Sequence, residues 1–322
     1  HATGLVYEQH TWTMDVEVRA VRASASIRLL PLLALRVVMD DVDAHGVSVA
    51  LVREAPEGPR PVPEKTRPGF RIALQDVEVH GFERFTFNEV EIAGGQPTVS
   101  GSFAMQIRGE MQLSDAVLDW KDARITLGDE TLAESIALGF RGDVAPFHPR
   151  QTKGLALLGQ VSGQVDVEGH SGSLRPLQLL FPEVAWIEKL DGAGDVSVHV
   201  LLDEGRLQPG SDVDVVASSL ELWFLGFVAD GAGRVNVDVD DGGAGRRGQV
   251  DVVFEHFGLS RQGDVEPLAR GSGLSLVARS QDLGFQQGLE GLSIALEIPD
   301  SEVPDVSFLG RSLPPGLGIE IH

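Results

Sequence analysis

Three patterns in the sequence could carry chemistry: a glycine-rich loop, an acidic turn and a set of scattered histidines. The segment GGAGRRG (242–248) contains G-x-G-x-x-G, which binds dinucleotide phosphates when it follows a strand and opens a helix. In this chain it precedes the strand-like QVDVVF, so we predict a hairpin loop. The overlapping DVDDGG (238–243) lacks the ligand spacing and the final glutamate of a calcium loop, so we predict a solvated acidic turn.

The nine histidines do not form a ligand set, because the sequence contains no HxH, HxxxH or HExxH. Those that stand singly among strand or turn residues, where a surface position is favoured over metal binding, are His80, His170, His199 and His256. The absence of cysteine excludes disulfides, thiolate zinc sites and cysteine nucleophiles. Nucleophile elbows and phosphate loops are also absent. We therefore expect no catalytic residue, no metal and no cofactor, and a carbohydrate-active enzyme with paired carboxylates is a remote alternative.

A decapeptide that occurs twice indicates how the chain is built. Residues 191–200 are DGAGDVSVHV, and residues 230–239 are DGAGRVNVDV, 39 positions further on. Self-similarity of this kind indicates that one supersecondary unit is stacked on itself, and the alternating pattern makes that unit a β-hairpin. We predict that the two DGAG segments are equivalent turns, each initiating a strand, with glycines at positive φ.

Alternation of apolar and polar residues extends from Thr11 to Ile298 and is typical of strands with one dry and one wet face. Gly, Asp or Pro separates the runs, and 38 Gly and 17 Pro suit a fold rich in turns. The pattern predicts an all-β fold in which a long antiparallel sheet curls into a taco-like β-groove with few short helices. A closed β-sandwich is the alternative.

No change of composition divides the chain, so we predict a single elongated β-groove domain over residues 1–322. Its one low-complexity segment is a Pro-rich loop at 54–69, EAPEGPRPVPEKTRPG. The sequence begins without Met and stops directly after a strand-like segment. We therefore expect it to be a fragment of a longer protein.

The charge of the chain limits its partners. A net charge of −22 repels nucleic acid and anionic bilayer surfaces, so we expect no nucleic-acid partner. The longest apolar run, Leu29–Met39, is interrupted by Pro31 and Arg36 and is shorter than the roughly 18 residues that span a bilayer. Membrane attachment is therefore expected from an anchor outside this sequence.

Three stretches resemble the AsmA-like family of large bacterial envelope proteins, of the TamB, YhdP and YdbH type. They are GAGDVSVHVLLDEGRLQPGS (192–211), LLPLLALRVVMDDVDAHGVSVALVRE (29–54) and LEIPDSEVPDVSFLGRSLPPGLGIEI (296–321). The resemblance lies in patterns of alternation across most of the chain. It implies a repeating β-groove whose apolar inner face holds acyl chains.

The resemblance also implies a location and a role. The protein would lie in the periplasm of a Gram-negative envelope, anchored in the inner membrane in its full-length form. It would contribute to phospholipid transport between the inner and outer membranes, with a phospholipid as ligand and an outer-membrane protein as a further partner. A ligand-free structural or adhesive β-sandwich or solenoid of a bacterial envelope protein remains the alternative.

Aliphatic residues on one face of the repeated strands are the candidate lipid-groove residues. We expect them to line an apolar surface that the protein itself fills incompletely, because a large exposed apolar patch needs a partner. They are Val196, Val198, Val200, Val213, Val215, Val235, Val237, Val239, Val250, Val252 and Phe254. The same pattern is also compatible with packing against a second sheet.

Overall fold

A computed structural model describes most of the chain. The described residues are 1–10, 14–53, 71–106, 110–148, 152, 157, 159–175, 187–241, 246–264, 267–280, 292–299, 301–302 and 319–321. This part contains eighteen strands and a 3₁₀ helix at Leu30–Ala34. The prediction of an all-β fold built on a large, mainly antiparallel sheet is confirmed. The predicted Pro-rich loop at 54–69 lies outside the described residues.

The strands are numbered along the chain. They are β1 (Ala2–His10), β2 (Met14–Arg28), β3 (Arg36–Arg53), β4 (Arg71–Phe87), β5 (Val90–Ala93), β6 (Gln96–Gln106), β7 (Met111–Leu127), β8 (Glu130–Phe147), β9 (Val161–Ser171), β10 (Ile187–Asp203), β11 (Arg206–Leu207), β12 (Asp212–Phe224), β13 (Phe227–Asp241), β14 (Arg246–Arg261), β15 (Ala269–Ser280), β16 (Leu292–Glu297), β17 (Ser301–Glu302) and β18 (Ile319–Ile321). Several exceed fifteen residues, which is long for a strand.

The chain forms two compact units. Unit 1 comprises His1–Asp166 and Leu202–Gly205, and unit 2 comprises Val167–Leu201 and Arg206–His322. The sequence pattern predicts one continuous domain because the alternation has the same character on both sides of this division. Composition alone therefore carries no signal for the boundary.

In unit 1, antiparallel pairing joins β1 to β2, β2 to β3, β4 to β6, β6 to β7 and β7 to β8. The short strand β5 pairs with both β4 and β7. The strands β3 and β4 depart from the antiparallel expectation, because they pair in parallel. A parallel pair needs a longer connection than a hairpin, and seventeen residues, 54–70, separate these two strands.

In unit 2, consecutive antiparallel pairs run from β10 through β12, β13, β14 and β15 to β16. Two short strands complete the pairing: β17 runs antiparallel to β15, and β18 runs parallel to β16. The residues of β10 to β15 that alternate in sequence therefore meet like residues on the neighbouring strands.

The two copies of the repeated decapeptide lie in the middle of strands β10 and β13. Gly192 faces Leu220 and Gly231 faces Phe257, and in both copies the register shifts after the next residue. The equivalence of the copies is confirmed. The prediction that each DGAG is a turn that initiates a strand is wrong, because each lies inside a strand, opposite a β-bulge whose extra residue is Ser218 on β12 or Glu255 on β14. Glycine serves both turns and bulges, so its presence does not distinguish them.

Close approach between backbones explains the glycines at these bulges. A Cβ atom on Gly231, whose φ is +155°, would lie 1.9 Å from the His256 carbonyl oxygen. A Cβ atom on Gly192, whose φ is +132°, would lie 2.0 Å from the Ser219 carbonyl oxygen. Because a bulge bends its strand, the strands of unit 2 consist of two arms that meet at one line across the sheet.

Aspartates occupy the corresponding irregular positions in unit 1. Asp41, Asp76 and Asp115 have φ values of +50°, +49° and +52° on strands β3, β4 and β7. Aspartate tolerates this left-handed conformation better than most residues. The Asp115 N–H donates a hydrogen bond to Asp143 Oδ1 at 2.8 Å. These positions divide the apolar face of unit 1 into separate strips.

Candidate functional site

The candidate groove residues of unit 2 form one continuous apolar face. Val215 on β12 pairs with Val196 on β10 and Val235 on β13, and Val235 pairs with Val252 on β14. A second row runs in the same way through Val198, Val213, Val237 and Val250. The alternation of apolar and polar residues in the sequence therefore placed these side chains correctly on one face of the sheet.

This face is buried. Ten of the eleven candidates are exposed by 8% or less, and Val250 is half-buried. On the other arms of these strands, beyond the bulges, Leu222, Phe224 and Leu259 are buried as well. The opposite face is exposed, with Val216 at 46% and Val253 at 41%. The candidates are thus largely inaccessible to solvent in this structure, and their role as lipid-groove residues stays a prediction.

An apolar surface that is only partly covered lies in unit 1, on the segments of β3, β4 and β7 that precede the aspartate bulges and on the segment of β6 that pairs with them. One row pairs Val37, Ile72, Met105 and Met111, and the next pairs Met39, Leu74, Phe103 and Leu113. All eight side chains are half-buried. We call these eight residues the open strip.

The composition of the open strip suits a variable apolar ligand. It contains Met39, Met105 and Met111, three of the four methionines in the chain. Methionine is flexible and polarizable, so it adapts to ligands of different shape. The four strands together span about 14 Å, close to the roughly 15 Å depth of one leaflet of hydrocarbon.

Beyond the bulges, unit 1 has a closed core that contrasts with the open strip. Trp120 is 2% exposed, and its Nε1–H donates a hydrogen bond to the Gly94 carbonyl oxygen at 2.7 Å. Its indole meets the ring of Phe82 edge to face, with 5.4 Å between ring centroids. Ala123 on the same strand β7 and Ile136 on the neighbouring strand β8 are also buried. Unit 1 therefore contains a closed part as well as the half-buried open strip.

A pocket of about 330 Å³ lies at the end of the open strip where β3 and β4 begin. Its apolar lining includes Val37, Ile72, Met105 and Met111, and its charged lining consists of Arg36, Arg71 and Glu110. Sequence reasoning did not identify either the strip or the pocket. The concentration of methionine in the short runs FAMQ and EMQL was the one available signal.

The patterns examined for chemistry lie on strands and at a connection between strands. GGAGRRG joins two antiparallel strands, since β13 ends at Asp241 and β14 begins at Arg246. His170 Nδ1 lies 2.9 Å from Asp195 Oδ1 on an exposed surface. His80 Nε2 lies 3.5 Å from Glu78 Oε2 and 3.7 Å from Asp43 Oδ1. These contacts are ordinary pairs between surface residues of strands.

An acidic cluster covers part of the outer face of unit 2. Its members on β12, β13 and β14 are Asp212, Asp214, Asp238, Asp240 and Asp251. Asp238 lies directly opposite Asp212 in the ladder. Partial burial raises the pKa of the Asp238 carboxyl, and the negative charges of the other four members raise it further. Relative to its protonated form, the ionised carboxyl of Asp238 is therefore less favourable in the folded protein than in the unfolded chain.

We expect Asp238→Asn to stabilise the protein at pH 7 by about 0.5 kcal/mol, a modest gain because solvent screens these charges. The raised pKa fixes the sign: the penalty is absent below the unfolded pKa of about 3.9 and is complete above the folded pKa. Urea unfolding at pH 7 and pH 3 measures it. The gain should disappear at pH 3, and Asp264→Asn, outside the cluster, should show no comparable gain. An equal gain at both pH values would contradict the electrostatic explanation.

Searches for a metal site or a membrane span give no candidate within the described ranges. There, no three His, Asp or Glu side chains are placed to hold a metal ion together. Over the same residues, no helix has the length and hydropathy to cross a bilayer. No protein-family model, curated protein or solved structure matches this chain.

Proposed function

We propose that this protein binds acyl chains on the apolar face of its curled sheet and contributes to phospholipid transport between the inner and outer membranes. The open strip of unit 1 is the observation that supports this proposal. Its eight apolar side chains are half-buried and adjacent across four strands, whereas some apolar side chains of similar size in the same unit, such as Leu132 and Ile136, are buried. Adjacent apolar side chains that remain partly accessible to water are typical of surfaces that receive a ligand.

The energetics favour a lipid as that ligand. Each methylene group removed from water contributes about 0.8 kcal/mol, so a sixteen-carbon chain gains on the order of 10 kcal/mol before the cost of ordering it. A row of the open strip crosses four strands, which gives an acyl chain about 14 Å of continuous apolar contact. In this proposal the protein acts in the periplasm, attached to the inner membrane by an anchor outside this sequence, and passes lipid to an outer-membrane partner without catalysis.

The dry face of unit 2 favours a second candidate function for that unit. Side chains as completely buried as Val215 and Phe254, both 0% exposed, behave as a packed core and stabilise the fold. A structural or adhesive role, without ligand, accounts for such a face. Under the first proposal, acyl chains would reach the valines of unit 2 only if its interior opens.

A charge placed in the open strip separates the two functions. We expect Met105→Asp to reduce crosslinking of a photoactivatable fatty acid by about tenfold or more, because the carboxylate would have to be desolvated beside the acyl chain. The matched control is Val216→Asp, on the exposed outer face of unit 2, which should crosslink like the wild type.

Circular dichroism and thermal unfolding would confirm that both variants fold. Native mass spectrometry of the purified wild type should show bound lipid. Crosslinking that Met105→Asp leaves unchanged, or wild-type protein free of lipid that takes up none of the probe, would leave the structural role as the better account.

A further inference from the structure

The most exposed large apolar side chains among the described residues lie within five residues of one another in sequence, directly before the open strip. Leu33, Leu30 and Leu29 are exposed by 87%, 82% and 73%, on the turn between β2 and β3. We call Leu29–Leu35 the leucine turn. Its 3₁₀ helix has no buried residue. Three such leucines on one turn are an unfavourable surface in water unless a partner covers them.

The leucine turn has a defined conformation. Pro31 lies in the first turn of the 3₁₀ helix. Leu35 caps the end of the helix in the left-handed conformation, with φ +54°. The Leu35 N–H donates to the Leu32 carbonyl oxygen at 3.1 Å, and the Leu35 carbonyl oxygen accepts the Arg71 N–H at 3.0 Å. These bonds hold the turn against the start of β4. The leucines therefore project from a fixed base at the end of the sheet.

Positive charge surrounds the leucine turn although the chain has a net charge of −22. Arg28 and Arg36 flank it, and Arg71 is paired with Arg36 in the parallel register of β3 and β4. Arg28 forms an ion pair with Asp40. Neither Arg36 nor Arg71 forms an ion pair with any other described residue, and both line the pocket at the end of the open strip. Glu110 also lines this pocket, so two positive charges face one negative charge there, and remote acidic residues are screened over about 8 Å at physiological salt.

We propose that the leucine turn inserts into the interfacial region of a phospholipid bilayer and that Arg36 and Arg71 bind the phosphates of its lipid headgroups. An apolar tip with a basic collar is the chemistry of segments that lie in a membrane interface. Arginine suits this position because its guanidinium binds phosphate through two parallel hydrogen bonds. A protein partner would not account for two arginines beside the leucines as directly.

The position of the turn connects it with the open strip. Val37 and Ile72, the first strip residues of β3 and β4, line the same pocket as Arg36 and Arg71. A lipid whose phosphate is held by the arginines would therefore have its acyl chains beginning at the strip. This connection rests on the proposed acyl-chain binding, whereas insertion of the leucine turn does not.

Flotation with vesicles tests the insertion. Wild-type protein should float with vesicles of phosphatidylcholine and phosphatidylglycerol. The double variant Leu30→Ser/Leu33→Ser should bind these vesicles at least about tenfold more weakly. The control is Val216→Ser/Val253→Ser, which removes two exposed apolar side chains from unit 2 and should bind like the wild type. Arg36→Gln/Arg71→Gln should weaken binding most at low salt. A Leu33→Trp variant should show blue-shifted emission and quenching by brominated acyl chains on vesicle addition.

Three results would overturn the proposal: wild-type protein that does not float, equal binding by the leucine double variant, or fluorescence of the Leu33→Trp variant that vesicles leave unchanged. Each is independent of the fatty-acid crosslinking described above, which uses protein in solution. Loss of flotation with normal crosslinking would reject only the membrane contact, and the converse would reject only acyl-chain binding in the open strip.

Discussion

Gly231→Ala should destabilise the protein by about 3–4 kcal/mol, because the new methyl group has no space. Its carbon would lie 1.9 Å from the His256 carbonyl oxygen, at a φ of +155° that residues with a side chain rarely adopt. The obstruction is backbone, so no side-chain rotation relieves it. Urea unfolding followed by circular dichroism measures the loss.

Two further glycines make this prediction specific. Gly192→Ala should lower the free energy of unfolding by as much as Gly231→Ala. Its methyl group would lie 2.0 Å from the Ser219 carbonyl oxygen in the equivalent bulge. Gly226→Ala should cost only about 1–2 kcal/mol, the penalty of positive φ alone, because no atom lies within 4 Å of its Cβ position. If all three variants lost the same small amount, the close backbone approach at the bulges would be refuted.

Val215→Asp should destabilise the protein by roughly 4 kcal/mol or more, whereas Val216→Asp should change stability by about 0.5 kcal/mol. Val215 is 0% exposed between Val196 and Val235, so its replacement buries a carboxylate without a partner. Val216, the next residue, is 46% exposed on the opposite face. The two variants carry the same change one position apart, and thermal unfolding distinguishes them.

The result for Val215→Asp also bears on ligand binding in unit 2. A folded variant with wild-type stability would mean that water enters the interior of this unit. The valines would then be accessible to acyl chains after all. The same logic applies to Val198→Asp and Val237→Asp, because these two valines are 3% and 4% exposed and a charge there should disturb folding before it disturbs binding.

Local sequence pattern predicted the strands and their faces. The valines at 213, 215, 235 and 237 share one face because the side chains of a strand alternate strictly, and this needs no knowledge of the neighbouring strand. The equivalence of Gly192 and Gly231 followed in the same way from the repeated residues. Degree of burial could not be predicted, because Val37 and Val215 are both valines of apolar strands while one is half-buried and the other is inaccessible.

Features that depend on distant residues were beyond the sequence pattern. The parallel pairing of β3 with β4 depends on where the chain returns to the sheet after the seventeen residues that separate the two strands. The bulge at Gly231 is decided by the approach of His256 from another strand. The pocket between Arg36, Arg71 and Glu110 combines residues from three strand ends that only the completed sheet brings together.

The recurrence of the same bulge geometry at β10 and β13 has a consequence for how the molecule could change in length. The segment from Gly192 to Gly231 contains one full hairpin period, after which the backbone meets its neighbour in the same way. Adding or deleting such a 39-residue module would preserve every bend and every row of side chains in the remaining strands. Stability in such an array is a sum of module and nearest-neighbour contributions. Gene duplication could thus lengthen the protein without redesigning its interior, as in other linear repeat proteins.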